Sequence, residues 1–360
     1  MKRISVPEFE GSAVFMGRSW TDTERTAVWF NWSASGFRVR FHGTTLKARF
    51  VVREEKFTAP FQQEIVMLAP VVGVRADGAQ ALSQRVKLAA PEQWLTLFDG
   101  EEGEHTAEVL KLSENVMGKC GLAELETDGE FLAPCAEKRA LLEVVGDSIT
   151  CGYGNEAKKP GFRTEDENAL AAYGFLAAQE LGMEYSSVCV SGCAVADSDW
   201  IPGMENRGML SMYAFTDAPM DRALKNAELQ PWDFAAHPAK VTVINLGTND
   251  ANEIKFKNFA PEAVESFRTN YKRLLRLIRE KNGPETKILC TLGSMDYYLW
   301  DDIRDIAAEY RAESGDTEVY CRKFGAINLF GEGTGADTHP SAKTHARMGR
   351  ELAAAVREIC

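Results

Sequence analysis

The run Leu141-Leu142-Glu143-Val144-Val145 is apolar and rich in β-branched residues, and it breaks into Gly146-Asp147-Ser148-Ile149-Thr150. Such a run reads as a buried strand ending in a tight turn. Gly146 permits a bend that a Cβ would obstruct. Ser148 is thereby placed at a strand end, where open α/β sheets hold their ligands. There it either presents its hydroxyl to a cleft or, on the plainer reading, caps a helix.

The same pattern recurs downstream. A strand over 185–190 leads to Ser191-Gly192-Cys193, one over 241–246 to Gly247-Thr248-Asn249-Asp250, and one over 287–292 to Gly293-Ser294-Met295. Helical patterns lie between them, over 168–178, from Pro261 to about Lys281 with Asn282-Gly283 closing it, and over 301–313. A last strand is expected near 318–322 and a C-terminal helix from about Ser341. Alternating strands and helices predict a mostly parallel sheet with helices on both faces.

Residues 1–132 read as all-β. Phe37–Phe41 and Leu46–Phe50 alternate apolar and polar around His42-Gly43-Thr44-Thr45, which predicts a hairpin. Short runs at 64–68, 71–74, 85–88, 94–98 and 105–112 follow, with Asp77-Gly78, Asp99-Gly100 and Asp128-Gly129 as turns. Many short strands at regular spacing predict a β-sandwich or jelly roll. The segment 133–139 reads as a linker, so the expected domains are 1–132 and 139–360.

At 360 residues the chain is long enough for two cores. Its net charge of -12 argues against nucleic acid and against anionic membranes, which both reward a basic face. No apolar run follows the basic Lys2-Arg3, so a cytoplasmic location is expected; a secreted chain trimmed of its leader would read the same. The eight cysteines contain no C-x-x-C pair and the five histidines no metal-ligand spacing. Free thiols, no metal and no cofactor are expected.

Taken together, Gly146-Asp147-Ser148, Ser191-Gly192-Cys193, Gly247-Thr248-Asn249-Asp250 and Asp337-Thr338-His339-Pro340, in that order, resemble the SGNH/GDSL hydrolases over about 139–360. The resemblance implies an SGNH-type, flavodoxin-like α/β fold. It implies Ser148 as nucleophile, His339 as base, and an oxyanion hole from the N–H groups of Ser148 and Gly192 and the side chain of Asn249. These residue types suit acyl transfer: a hydroxyl needs a base to become nucleophilic, and a developing oxyanion needs fixed donors. An all-β N-terminal part, Gly152-Tyr153-Gly154 after the first block and Asp-x-His-Pro in the last further resemble carbohydrate esterase family 2. That likeness implies a jelly roll packed on the catalytic domain. It also implies removal of O-acetyl groups from xylan- or mannan-type polysaccharides or oligosaccharides through an acetyl-enzyme.

Trp200, Tyr297, Tyr298 and Trp300 lie just past strand ends, and sugars stack on such rings; Trp300, Trp200 and Tyr297 are the expected substrate contacts. SGNH hydrolases commonly carry an aspartate three residues before the histidine, where this chain has Ala336. The orienting group for His339 is then the carboxylate of Asp337, or else a backbone carbonyl. Two other readings compete: a lipase- or thioesterase-like hydrolase of other small acyl esters, and a carbohydrate-binding protein with an inert hydrolase domain. The oligomeric state is left open.

Overall fold

The computed structural model describes residues 1–58, 65–134, 139–198 and 205–360. Ten strands of the N-terminal part form one antiparallel sheet, built around β1 (Gly36–Arg53), β2 (Glu92–Lys111) and β3 (Lys119–Thr127). Phe30, Phe37, Phe41, Phe50 and Leu125 fill its core.

The expected hairpin at 42–45 is not formed. β1 runs through that stretch and pairs with β2 on both sides of it. Phe37, Val39 and Phe41 are buried at odd positions, and Leu46, Ala48 and Phe50 at even ones. That switch of parity is the mark of a bulge, which lets both halves keep their apolar residues inward. The ladder shifts there, with Thr45 opposite Asp99 but Gly43 opposite Gly103. Asp128 occupies the bend, accepting the N–H groups of Thr44 at 2.9 Å and Thr45 at 3.0 Å. For the same reason the expected strands 94–98 and 105–112 are two halves of β2.

The second sheet holds β4 (Leu141–Gly146), β5 (Glu184–Cys189), β6 (Ala239–Asn245), β7 (Lys287–Leu292) and β8 (Val319–Lys323), all parallel, in the order β5-β4-β6-β7-β8. The order reverses between β4 and β6, the place where open sheets of this kind bind ligands. Six helices matter here: α1 (Ser148–Cys151), α2 (Tyr173–Leu181), α3 (Thr248–Phe256), α4 (Pro261–Asn282), α5 (Trp300–Ser314) and α6 (Ala342–Ile359). Phe267, Tyr271 and Leu274 of α4 and Ile303 and Ile306 of α5 pack with Val145, Ile244 and Ile288 on one face. Tyr173 and Phe175 of α2 and Met348 and Leu352 of α6 pack with Val144 and Val243 on the other. The helix expected over 168–178 is instead a 3-10 turn at Ala169–Ala171 followed by α2. Asn168 caps the turn through Leu170 N, and Ala172 is extended between the two pieces.

The two sheets share buried contacts. Trp32 lies in the core of the α/β part and donates Nε1–H to Thr216 O at 2.8 Å. The buried Arg18 guanidinium donates to the carbonyls of Tyr213 and Phe215, both at 2.6 Å, and to Glu143 Oε1 at 2.9 Å. Asp217 accepts from Asn31 at 2.6 Å and from Asn115 at 3.0 Å. Buried charges and polar groups need such partners, so these side chains fix how the halves meet. Among the described residues no helix is long and apolar enough to cross a membrane, and the described cysteines are unpaired. Cys135 and most of the expected linker lie outside them.

Candidate active site

Strand β4 delivers Asp147 and Ser148 to the switch point. Asp147, not Ser148, caps α1, its carboxylate accepting Ile149 N at 2.9 Å. Ser148 is the first residue of that short helix and is 8% exposed, enough to show its hydroxyl. His339, from the turn before α6, places Nε2 at 2.9 Å from Ser148 Oγ.

The other ring nitrogen, Nδ1, lies 3.2 Å from both Ala336 O and Asp337 O. Carbonyls only accept, so Nδ1 carries the hydrogen and Nε2 is left bare to take a proton from Ser148. The Asp337 carboxylate turns elsewhere and accepts the Tyr153 hydroxyl at 2.6 Å. Asp337 and Thr338 both have left-handed backbone, φ 46° and 65°, a costly conformation for residues with a Cβ. This turn is what aims both carbonyls at Nδ1. Tyr153 supports it twice, through that hydrogen bond and by an edge-on ring contact with His339 at 4.5 Å. Gly154 lets the two loops meet: at φ +52°, a Cβ there would stand 2.3 Å from the Ala336 Cβ.

The second and third strand-end blocks converge on the same point. Gly192 adopts φ +79°. Among the described residues neither its N–H nor that of Ser148 has a protein acceptor. Asn249, the second residue of α3, donates through Nδ2 to Cys193 O at 2.9 Å and more weakly to Asp147 Oδ2 at 3.4 Å. Asp250 accepts Val195 N at 3.1 Å and so pins the far side of the Gly192 loop.

Burial pushes the Asp147 and Asp250 carboxyls up to about 7. Burial thus disfavours the ionised form of Asp147, which limits negative charge beside Asn249. Burial lowers the His339 imidazole below its ordinary value, outweighing its carbonyl contacts. If the neutral ring acts as the base, kcat/KM is expected to rise with pH through an apparent pKa below 6.5 and then level off. A pH–rate profile whose acid limb centres above 6.5 would contradict this. Cys151 is wholly buried and its thiol is pushed well up by that burial, so it is no nucleophile.

Of the expected sugar contacts, Trp200 lies outside the described residues. Trp300 begins α5 and packs partly against the core, with Lys323 Nζ 6.0 Å from its ring centre. Tyr297 donates its hydroxyl to Phe324 O at 3.0 Å. Tyr298 is exposed and meets Phe259 edge-on at 5.5 Å. Tyr153 is a site residue that the sequence marks only through the Gly152-Tyr153-Gly154 motif, which gives no sign of its contact with the Asp337 turn.

The arrangement has counterparts. Residues 142–352 match the family of GDSL-like lipases and acylhydrolases, and residues 15–135 match the carbohydrate esterase 2 N-terminal family. The chain is 30% identical to a cellulase/esterase, CelE, of Acetivibrio thermocellus, over 71% of this chain and 30% of that protein, so it spans under a third of that relative's length. It is also 30% identical to an acetylxylan esterase/glucomannan deacetylase of Cellvibrio japonicus, over 76% of this chain and 73% of that one. A family two carbohydrate esterase from Clostridium thermocellum, solved with cellohexaose, shares the fold with a TM-score of 0.80 at 24% identity, covering 96% of this chain and 98% of its own. The chain belongs to the GDSL-like lipase/acylhydrolase family, in its carbohydrate esterase family 2 arrangement.

Proposed function

We propose that this protein is a serine esterase that removes O-acetyl groups from plant polysaccharides or their oligosaccharides, of the xylan or mannan type. The observation that carries the reading is the 2.9 Å contact between Ser148 Oγ and His339 Nε2, set beside the open N–H groups of Ser148 and Gly192. Residues 1–132 and 139–360 serve as two domains of one unit. The Acetivibrio relative is a cellulase/esterase and the Cellvibrio relative an acetylxylan esterase/glucomannan deacetylase, which supports the substrate class.

In this mechanism Ser148 Oγ attacks the acetyl carbonyl carbon while its proton passes to His339 Nε2. The tetrahedral oxyanion lies against the N–H groups of Ser148 and Gly192 and the amide of Asn249. Collapse breaks the bond to the sugar oxygen, which takes the proton from Nε2. Water then attacks the acetyl-enzyme, giving its proton to His339, and acetate leaves as Ser148 regains a hydrogen. The imidazolium formed in each half is stabilised by the Ala336 and Asp337 carbonyls. The functional pair is thus a dyad, and Asp337 acts through its backbone.

Proton NMR of acetylated glucomannan and xylan oligosaccharides, before and after enzyme, tests the reading. Loss of sugar-linked acetyl signals, with free acetate rising, is expected. Cleavage of octanoyl but not acetyl nitrophenyl esters would overturn it in favour of a lipase-like role. Asp337→Asn is expected to lower kcat less than about tenfold, because the carbonyls stay in place. A drop of about 10⁴, the size seen when a triad acid is lost, would restore the Asp337 carboxylate as a catalytic group.

A further inference from the structure

The loop that carries Gly192 is held by a side chain from the other half of the molecule. Beyond β2 the chain passes through Leu112-Ser113-Glu114-Asn115, and the side chain of Glu114 is wholly buried. Its carboxylate accepts the Ser191 N–H at 2.7 Å and also the Ser191 hydroxyl. Cys151 Sγ lies 3.7 Å away on α1. The segment is anchored by the buried Lys111, whose Nζ donates to Glu114 O at 2.6 Å and Ser113 O at 2.7 Å. From the opposite side Arg207 donates to Ser191 O at 2.7 Å.

The peptide unit makes these contacts consequential. Ser191 C=O and Gly192 N–H belong to one planar trans unit and point in opposite directions. Arg207 fixes the carbonyl and therefore the line of the Gly192 N–H. Glu114 fixes the preceding peptide and the Ser191 side chain, so that unit cannot rotate about its neighbour. Gly192 itself, at φ +79°, has no side chain to restrain it. The restraint comes from Glu114 and Arg207. A buried carboxylate is costly unless paired and hydrogen-bonded, and apolar packing would join two halves at less cost.

We propose that Glu114 is a positioning residue for the oxyanion hole: it locks Ser191 so that the Gly192 N–H faces the developing negative charge. The β-rich domain is then part of the catalytic apparatus and more than a platform beside it. The inference rests on the reading of Gly192 as an oxyanion donor.

Glu114→Gln keeps the shape and one acceptor oxygen but removes the carboxylate that takes both Ser191 hydrogens. Its kcat for an acetyl ester is expected to fall about tenfold with KM within about twofold, since misplacing a donor that is used only in the transition state leaves ground-state binding alone. Ser191→Ala, which removes the hydroxyl alone, is expected to lower kcat about threefold. The double variant is expected to be no slower than Glu114→Gln, because both changes act on one contact. Wild-type kcat in Glu114→Gln, an effect on KM only, or losses that multiply in the double variant would each overturn the proposal. Should Glu114→Gln fail to fold, Ser191→Ala decides: a lowered kcat at unchanged KM supports the proposal and an unchanged kcat overturns it. Ser148→Ala run alongside separates the two levels. If it loses nearly all turnover while Glu114→Gln is unimpaired, only this inference falls; if it releases acetate at close to the wild-type rate, the esterase reading beneath it falls.

Discussion

Ser148→Ala and His339→Ala are each expected to lower acetate release by about 10⁴–10⁶-fold, leaving the fold intact. The two side chains form one proton-transfer unit at 2.9 Å, so either loss disables the same step. Without His339 the Ser148 hydroxyl keeps its proton and is a poor nucleophile. Without Ser148 no acetyl-enzyme forms, and His339 has only water to activate. The double variant is therefore expected to be little worse than either single one, since the effects of a unit do not multiply. Residual rate above the uncatalysed reaction should remain, because the Ser148 and Gly192 N–H groups and Asn249 still meet the oxyanion. Titrated acetate under saturating substrate measures the loss, and circular dichroism checks the fold. Near-normal turnover in His339→Ala would remove His339 from the mechanism.

The parallel sheet was legible because its strands, buried on both faces, are written as continuous apolar runs, and because the polar blocks follow them directly. Ser148, Gly192 and Asn249 each sit within a few residues of such a run, so position in sequence and position in the site coincide. The β-rich part was harder to read for a definite reason. The alternation at 37–41 and 46–50 is the same for a hairpin and for one bulged strand; only the change of parity separates them, and a turn-like His42-Gly43-Thr44-Thr45 outweighed it. The partner of His339 depends on φ at Asp337 and Thr338, which spacing does not encode; spacing favours the Asp337 carboxylate, whereas the turn brings two carbonyls to Nδ1. Glu114 lies 77 residues before Ser191, and nothing local in Ser-Glu-Asn signals that it reaches the loop after a strand of the parallel sheet.

Asn249→Ala is expected to lower kcat by about 10²–10³-fold while KM stays within about threefold. In the resting site one amide hydrogen of Asn249 goes to Cys193 O at 2.9 Å, and the other faces Asp147 Oδ2 across a long 3.4 Å. The second hydrogen is weakly held across 3.4 Å, and an oxyanion is a stronger acceptor than a carboxyl whose ionised form burial disfavours. On the proposed mechanism the donor is set in place by its bond to Cys193 and becomes fully engaged only as charge develops, which is the condition for a kcat effect. The amide has a second duty, since its bond to Cys193 O also braces the Gly192 loop. Asn249→Asp separates the two. It cannot donate when ionised and adds charge beside Asp147, so it is expected to be at least as slow as Asn249→Ala at pH 8. An Asn249→Ala enzyme changed only in KM would mean that Asn249 binds ground-state substrate, and the hole would then rest on the Ser148 and Gly192 N–H groups alone.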